Sequence, residues 1–546
     1  MFGHGQVEGF SEKYGMEYKR AYYSEFIDEN LVSRHQYEIF PLLQKRYLFS
    51  QVENFELYDF YDNSGIINEN VIAFTNRIGN ERALVIYNNS YTECQGTIKW
   101  SVPKVQSAGN SPSAKMLPDA LALKNEGRMF YSFRDYKTRF QHLISSADIN
   151  NSGFHIFLNG YDYRVCLDFK EIYDFDGSWE KLFHHLSGRG VYSLEQELKE
   201  LQLYPLHESI VDFLNPEFVE KVKSQFIIDS NEKKAIESEL KDEIEKKLDD
   251  IINHLNFIQP VPFDNKKIKE GVINDIGSVN KVSNLLFKLK EEKEKEFNKI
   301  KKSLIYFDGN DHENRLTVLL SLILFNRILN SNGREENLFD NLIIGKALNI
   351  SFNSVSPDNP ETGYDILLVK LLTSKDKFVL WDRSTKNNTN ASEEKRKRTS
   401  LKETEFLTSL FEGDDVTWYV GLNEHGGIRY YNKERFEKLL NWIFSLKIFT
   451  QINNDDPRVK RIKSKKEPKK RTVSNDTETQ IKNILKDFKF FEKIKKASDD
   501  SGYKLNGLLS SFEKPEIKQK AQQIKPERKT VKKSSSKKEI KNKKRG

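Results

Sequence analysis

The sequence predicts a multidomain α+β protein, in which an antiparallel β domain is followed by a mainly helical region and a lysine-rich tail. Its 546 residues are enough for about three or four domains of ordinary size. The spacing of apolar residues changes along the chain from strand-like alternation to helical periodicity. The charge balance changes as well, because basic residues concentrate toward the C-terminal end.

The composition predicts folded domains without a membrane segment. Hydrophobic residues make up 37% of the chain, which is enough to build cores. The longest apolar run, Leu316–Leu324, is shorter than the ~18 residues of a membrane span and predicts a buried helix. Met1–Tyr14 lacks the basic and apolar segments of a signal peptide. Cys94 and Cys166 lie in or beside strand-like runs and are expected to be buried reduced thiols, which favours a cytoplasmic location.

The tail from Pro457 to Gly546 carries 30 Lys and Arg residues against 11 Asp and Glu residues. Its balance of +19 exceeds the +7 of the whole chain, so the preceding body is acidic. Lys525–Gly546 has no periodic apolar face, and we expect it to be disordered. We expect weak, sequence-blind binding of the tail to polyanions, because it lacks the aromatic residues and folded motif of a dedicated nucleic-acid reader.

The first helical pattern covers Asn30–Leu48, and Pro41 within it should kink the helix or split it in two. Short strands follow between Phe55 and Tyr173. The runs that predict strands are Val71–Asn76, Ala83–Asn88, Gly96–Val102, Phe154–Leu158 and Tyr163–Phe169.

Turn residues punctuate these strands. Gly79-Asn80 and Asn88-Asn89-Ser90 predict turns, and Asn159-Gly160 predicts a hairpin between the last two strands. Tyr136–Ser145 is predicted as a short helix inserted before that pair. The whole segment is therefore predicted as a small antiparallel β domain with one helical insertion.

From Trp179 to about Leu348 the spacing is helical. The predicted helices are Leu194–Leu203, Pro216–Phe226, Glu232–Ile258 and Val279–Leu304. Glu and Lys at i, i+4 spacing in Glu232–Asn256 predict a solvated helical hairpin. Arg315–Leu329 is apolar on nearly all sides and should be the core helix of the region.

A mixed segment completes the body. Strands are predicted at Lys377–Trp381 and Val416–Leu422, and His425-Gly426-Gly427 is predicted as the turn before a return strand at Ile428–Tyr431. Helices are predicted at Arg435–Phe449, Thr479–Ala497 and Ser501–Phe512. Aromatic residues flank the turn, namely Trp418, Tyr419, Tyr430 and Tyr431. Such rings can stack on sugars, but at least half should face a core, so packing is the preferred interpretation.

Several stretches resemble glycoside hydrolase family 13, the alpha-amylase superfamily. The opening Met1–Tyr18, with Gly3-His4-Gly5-Gln6, resembles the loop after the eighth strand of that family's barrel. The further stretches that carry the resemblance are Gln36–Leu43, Val52–Asp59, Val71–Arg77, Arg82–Asn88, Val420–Asn423 and Tyr431–Phe436. They resemble the last barrel helix, the passage into the C-terminal β domain, its first hairpin, and a helical extension of large members.

The resemblance covers roughly residues 1–450 and implies a domain plan. Residues 1–54 would be the remnant of the last β/α unit of a TIM barrel, and 55–175 a C-terminal β-sandwich of amylase type. Residues 176–450 would be a mainly helical extension with a small β-hairpin. Residues 451–546 would be a lysine-rich tail, partly helical and then disordered.

The resemblance also implies which residues carry the chemistry. The family's two Asp residues and its Glu general acid sit on barrel strands that would precede Met1. A barrel enzyme needs roughly 250 residues and eight strand–helix units, of which residues 1–60 supply one. A retaining glycosidase needs two carboxyls ~5 Å apart, and no motif here singles out such a pair. The chain alone is therefore predicted to be inactive and to have no catalytic residues of its own.

His4 and Gln6 are the candidate substrate-binding residues, because loops at this rim of a barrel build its sugar cleft. The alternative is that Gly3 and Gly5 only shape a turn. His184-His185 is expected on a helix surface and not at a metal site, because adjacent helical residues point apart. No phosphate-binding glycine loop is present, and no cofactor or metal is expected.

The leading hypothesis is a non-catalytic C-terminal portion of an alpha-amylase-type glycoside hydrolase, whose partners are an α-glucan or the missing barrel half. Such a chain would be a fragment or one half of a split enzyme. The alternative is a scaffold or carbohydrate-binding protein that lost the barrel. A third hypothesis is a nucleic-acid-associated protein that acts through its basic tail.

Overall fold

A computed structural model describes residues 5–11, 24–105, 111–226, 236–304, 314–329, 337–373, 394–452 and 473–512. The chain is a mixed α+β protein with antiparallel sheets. It separates into two compact units, Met1–Tyr204 (unit 1) and Pro205–Gly546 (unit 2). Among the described residues, none of the helices combines the length and the apolar character that a membrane span needs.

The first helical segment described in unit 1 is broken, as predicted from Pro41. Its parts are α1 (Glu29–Arg34), a π-helical turn (His35–Ile39), α2 (Phe40–Gln44) and α3 (Arg46–Phe49). Proline has no N–H to donate back along the helix. The carbonyl of Tyr37 instead accepts hydrogen bonds from Nη2 of Arg139 at 2.7 Å and from the hydroxyl of Tyr136 at 3.3 Å. These bonds tie the break in the helix to the β domain.

The described residues of the β domain form nine strands. They are β1 (Glu56–Tyr58), β2 (Tyr61–Asp62), β3 (Val71–Ile78), β4 (Glu81–Asn88), β5 (Cys94–Ile98), β6 (Met129–Asp135), β7 (Gln141–Ser145), β8 (Phe154–Leu158) and β9 (Tyr163–Tyr173). A six-stranded sheet has the order β1-β3-β4-β9-β6-β7, and a three-stranded sheet has the order β2-β5-β8. Two short helices interrupt the strands, α4 (Leu117–Ala120) and α5 (Ser146–Ser152).

The turn predictions had mixed outcomes. Gly79, at a φ of +57°, joins the paired strands β3 and β4 as predicted. The hairpin predicted at Asn159-Gly160 is wrong, because β8 pairs with β5 whereas β9 pairs with β4 and β6. The turn exists, but it carries the chain from one sheet to the other.

The helix predicted at Tyr136–Ser145 is also wrong. Its second half is strand β7, which pairs with β6 along Phe130–Arg134. The helix starts one residue later, because the Ser145 hydroxyl accepts a hydrogen bond from the Asp148 N–H and caps α5.

The core of unit 1 lies between the two sheets, where residues of both pack together. Examples are Phe60, Leu84, Ile98, Tyr131 and Leu158, all of them buried. Cys94 and Cys166 are free thiols beside this core; Cys166 is buried as expected, whereas Cys94 is only half-buried. Burial raises the pKa of the Cys166 thiol and keeps it protonated.

The other side of the six-stranded sheet, here called the outer face, is covered by helices. Leu48 of α3 packs on Ala83 and Val165. Helices α6 (Ser178–Leu186) and α7 (Leu194–Phe213) place Leu182 and Leu194 against Phe130. Unit 1 therefore extends beyond the predicted β domain of residues 55–175, since these helices bury their apolar faces on its sheet.

Unit 2 is mainly helical. Its helices are α8 (Pro216–Ser224), α9 (Ser238–Ile258), α10 (Asn265–Glu292), α11 (Glu294–Ser303), α12 (Arg315–Leu329), α13 (Leu338–Asn341), α14 (Ile344–Val355), α15 (Thr362–Thr373), α16 (Glu394–Phe411), α17 (Asp414–Tyr419), α18 (Lys433–Ile452), α19 (Val473–Asp500) and α20 (Leu505–Ser510). Helix α12 is buried on most sides, which confirms it as a core helix. Helix α9 is not fully solvated, because a stripe from Leu240 to Leu255 is buried.

The strand predicted at Val416–Leu422 is wrong, because Asp414–Tyr419 forms helix α17. Val416 and Tyr419 are buried at i, i+3 spacing, which is the pattern of one helix face. The return strand is confirmed, since β11 (Ile428–Tyr430) pairs with β10 (Asn423–His425) around two glycines at positive φ. The strand predicted at Lys377–Trp381 lies outside the described residues.

Helices α19 and α20 confirm the helix pair predicted in the lysine-rich segment. Helix α19 packs on the body of unit 2, where Lys447 Nζ lies 2.8 Å from the Asp487 carboxylate and the Tyr431 hydroxyl 2.8 Å from that of Ser498. This part of the predicted tail therefore belongs to the folded unit. Lys525–Gly546 lies outside the described residues.

Candidate functional site

The opening turn holds one of the two predicted sugar-binding residues. Gln6 is exposed in the turn formed by residues 5–9, and His4 lies outside the described residues. Gly5 has a φ of +73°, and a Cβ built on it would lie 2.7 Å from Cβ of Phe10. Glycine is required here by the turn itself. The geometry thus gives Gly5 a turn-forming role and places Gln6 at the surface.

His184 and His185 are both exposed on helix α6, where the sequence placed them. Among the residues that the structure describes, no group of three His, Cys, Asp or Glu side chains could hold a metal ion.

The aromatic group around the hairpin of unit 2 divides as predicted. Tyr419 and Tyr431 are buried, whereas Trp418 is 75% exposed. The rings of Tyr431 and Phe436 pack with their centroids 4.9 Å apart. Two of these four aromatic side chains therefore pack in the core of unit 2.

A cleft of about 320 Å³ opens on the outer face of unit 1, between the loop that joins α2 to α3 and the first turn of α7. Charged side chains line much of it, namely Lys45, Glu81, Arg134, Asp168, Lys170 and Glu195. Lys45 Nζ lies 3.6 Å from the Glu81 carboxylate and 3.9 Å from that of Asp168. The cleft thus offers both signs of charge to a small polar molecule.

A β-bulge shapes the floor of this cleft. The register between β6 and β9 shifts between Ser132 and Arg134, so that Asp168 and Phe169 stand opposite Phe133 alone. Asp168 has a φ of +56°, a left-handed conformation that aspartate tolerates better than most residues. The bulge brings the Asp168 carboxylate to the outer face, where it borders the cleft.

Hydrogen bonds and nearby cations lower the pKa of several carboxyls in the described part of the chain. A glycosidase needs one carboxyl whose pKa is raised, so that it stays protonated at neutral pH. The pKa lies below its ordinary value for Glu38, Asp162, Glu171, Asp176, Glu478 and Asp499. For Glu171 the main cause is the hydrogen bond from the Lys124 ammonium. These groups suit ion pairing and not proton donation to a leaving group.

A second surface of unit 1 was not predicted from the sequence. Tyr91, in the loop between β4 and β5, is 86% exposed, and Tyr161, in the turn between β8 and β9, is 45% exposed. Their ring centroids lie 4.7 Å apart in an edge-to-face arrangement. The sequence marked both segments only as turns, through Asn88-Asn89-Ser90 and Asn159-Gly160. Nothing local in the sequence says that these two turns meet.

Comparison of the chain with family models, curated proteins and solved structures found no match.

Proposed function

We propose that this chain is the non-catalytic C-terminal portion of an alpha-amylase-type glycoside hydrolase that acts on α-glucans. In this proposal, residues 5–54 complete and cover the last unit of a TIM barrel supplied by another segment or another chain. The observation that carries the proposal is the order of elements in unit 1, where a broken helix leads directly into a β-sandwich.

The packing of the broken helix supports this assignment. Its buried contacts are directed to the sheet, where Leu48 packs on Ala83 and Leu167. Tyr163 also donates a hydrogen bond of 2.7 Å to the Glu38 carboxylate. The sandwich therefore holds this segment in place from one side.

Other apolar side chains of the same segment are left in water. The exposed ones are Phe26, Ile27, Tyr37, Leu43 and Tyr47. Scattered exposed apolar residues are normal, but five within so short a segment suit contact with a partner. We propose that these side chains contact the flank of a barrel, because each barrel helix packs against the neighbouring helices and the strands beneath it. Gln6 would then lie near the rim on which barrel enzymes bind substrate.

The alternative is a scaffold or carbohydrate-binding protein that works without any barrel. Neither proposal places catalysis in this chain. They differ in whether the exposed segment contacts a barrel. A hydrolysis measurement on the full chain tests the non-catalytic assignment that they share, and a docking measurement separates them.

The first measurement is hydrolysis. The purified chain should release no reducing sugar from starch or maltooligosaccharides above a buffer blank, because in this proposal the catalytic carboxyls belong to the barrel and not to this chain. Activity that disappears when one acidic residue of this chain is replaced would overturn the non-catalytic assignment.

The second measurement is docking. The full chain is co-expressed with each alpha-amylase-type barrel protein of the same genome, and we expect one of them to co-purify with it. The double substitution Tyr37→Ser and Leu43→Ser should weaken this association. The matched control replaces two exposed apolar residues elsewhere in unit 1, Ile66→Ser and Val105→Ser. If none of these barrels is retained, the scaffold alternative replaces the proposal.

A second candidate function is weak binding of polyanions, and one feature of α19 favours it. Five lysines recur at spacings of four and three residues on its exposed side, namely Lys482, Lys486, Lys489, Lys493 and Lys496. They form a stripe about 21 Å long at 1.5 Å rise per residue. Lys482 is paired with Glu478 and Lys493 with Glu403. The stripe still presents a surplus of positive charge, which attracts phosphate groups through the release of counterions.

We expect the full chain to bind two unrelated DNA duplexes equally, with an affinity that falls steeply as salt is raised. Replacing Lys486, Lys489 and Lys496 by serine should reduce the slope of log K against log salt by about 2–3, near 0.9 for each lost phosphate contact. The matched control replaces three exposed lysines of α10, Lys281, Lys288 and Lys290. Tight binding that discriminates between the duplexes at physiological salt would contradict this weak, sequence-blind mode.

A further inference from the structure

The Tyr91–Tyr161 pair is held on a fixed backbone. The Tyr161 N–H donates a hydrogen bond of 2.9 Å to the Ser90 carbonyl, which joins the two turns directly. The fully buried Asn88 donates from Nδ2 to the carbonyls of Thr92 at 2.7 Å and Asn159 at 2.9 Å. One buried side chain thus bridges both turns, so the rings stand on a rigid support.

The backbone beneath the pair is also strained and close-packed. Tyr161 has a φ of +53°, which is rare for a bulky residue. Gly160 approaches the other turn so closely that a Cβ on it would lie 2.3 Å from the Tyr91 carbonyl oxygen. Such strain persists only where the surroundings enforce it, and it concentrates at functional sites. A glycine or asparagine at position 161 would adopt the same left-handed backbone conformation with less steric strain.

The described part of unit 1 has other aromatic pairs at its surface, among them Phe140–Tyr192 and Tyr173–Phe175. Both contain a phenylalanine, whereas the Tyr91–Tyr161 pair presents two hydroxyls. Tyr192 is 80% exposed, similar to Tyr91, but the only left-handed tyrosine in the three pairs is Tyr161. The combination of strain, rigid support and two amphipathic rings singles out the Tyr91–Tyr161 pair among the described pairs.

We propose that Tyr91 and Tyr161 form a binding platform for a pyranose ring of an α-glucan chain. The C–H face of a pyranose is apolar and weakly positive, which suits the negative face of a tyrosine ring. An edge-to-face pair covers at most one face of one ring, so the exposed Tyr91 ring keeps a face for stacking. The α-linked identity of the ligand rests on the proposed function, whereas the stacking site itself rests on this geometry.

Polar groups beside the rings suit the hydroxyls at the rim of a sugar. Asn89 is exposed and its Oδ1 accepts a hydrogen bond of 3.3 Å from Tyr87. The hydroxyls of Ser90 and Thr92 lie 2.9 Å apart beside Tyr91. Each of these groups can exchange its present bond for one to a ligand hydroxyl. A proline-rich peptide is the weaker fit, because it needs a groove between aromatic rings and this pair stands edge to face.

The test uses the full chain in native gels cast with and without amylopectin, and calorimetric titration with maltoheptaose. We expect amylopectin to retard the chain. Tyr91→Ala should weaken maltoheptaose binding about tenfold or more, equivalent to ~1.4 kcal/mol. Tyr161→Asn should act similarly, because asparagine tolerates the left-handed backbone while it removes the ring. Tyr91→Phe, which keeps the ring, should retain most of the affinity.

Tyr192→Ala is the matched control and should bind as the unaltered chain does. The platform is refuted if amylopectin leaves the chain unretarded, or if Tyr91→Ala and Tyr192→Ala have the same effect. Binding of a proline-rich decapeptide at Tyr91 in place of maltoheptaose would refute it too. Equal binding of cellohexaose would overturn the α-linked assignment. Failure of barrel docking with glucan binding intact would instead remove the proposed function and leave the platform standing.

Discussion

Replacing Trp442 by alanine is expected to lower the free energy of unfolding of unit 2 by about 3–5 kcal/mol, the usual cost of removing a large aromatic side chain from a core. Trp442 lies on α18 and is only 1% exposed. Its Nε1 has no hydrogen-bond partner within the described part of the chain, so the loss is one of packing. Urea unfolding followed by hydrogen exchange of peptides from α18 measures this unit separately from unit 1.

Trp418→Ala is the matched control, because Trp418 is 75% exposed in the same unit. Its substitution should change the stability by less than about 0.5 kcal/mol. Equal losses for the two tryptophans would show that Trp442 does not lie in the core of unit 2.

In unit 1, replacing Arg82 by methionine is expected to cost about 2–4 kcal/mol, since two carbonyls, one of them buried, would lose their donor. Arg82 is 7% exposed, and its guanidinium donates to the carbonyls of Leu121 at 2.7 Å and Ala122 at 3.1 Å. It also lies 3.1 Å from the Glu171 carboxylate. Hydrogen exchange of β4 peptides in urea is the direct measurement.

Arg189→Met tests whether the loss is specific, because Arg189 is exposed in the same unit. Arg82→Lys should fall between the two, since one ammonium cannot reproduce the planar fork that reaches both carbonyls and the carboxylate. If Arg82→Met and Arg189→Met were equally stable, the hydrogen bonds of Arg82 would contribute little to the fold.

Local patterns predicted much of the β domain. The strands β3 and β4 and their turn at Gly79 follow from alternation and from one turn residue, and both signals lie within a short segment. The same holds for the break at Pro41, which follows from the missing N–H of proline. These features need no information from distant parts of the chain.

The errors arose where distant contacts decide the structure. Asn159-Gly160 does form a turn, but only the packing of two sheets determines which strands pair on either side of it. At Val416–Leu422, the β-branched and aromatic residues favoured a strand, although Val416, Tyr419 and Val420 also fit a helix face at i, i+3 and i+4. The segment forms a helix because these three side chains are then buried together on one face.

The candidate platform was missed for the same reason. Tyr91 and Tyr161 each follow a turn signal, and either one alone is an ordinary exposed tyrosine. Their meeting depends on Asn88, which is buried and bridges the two turns. A sequence search could have flagged Gly160 as a site of close backbone approach, but it could not have named the turn that it approaches.

The exchange of sheets between β8 and β9 has a consequence for the synthesis of the chain. Strand β4 emerges early and pairs at once with β3, but its other edge is completed only by β9. Until β9 leaves the ribosome, that edge keeps unpaired N–H and C=O groups in a strand rich in apolar residues. Such non-local pairing slows folding and prolongs the lifetime of aggregation-prone intermediates. We therefore expect the nascent chain to be most prone to aggregation during the interval between these two strands.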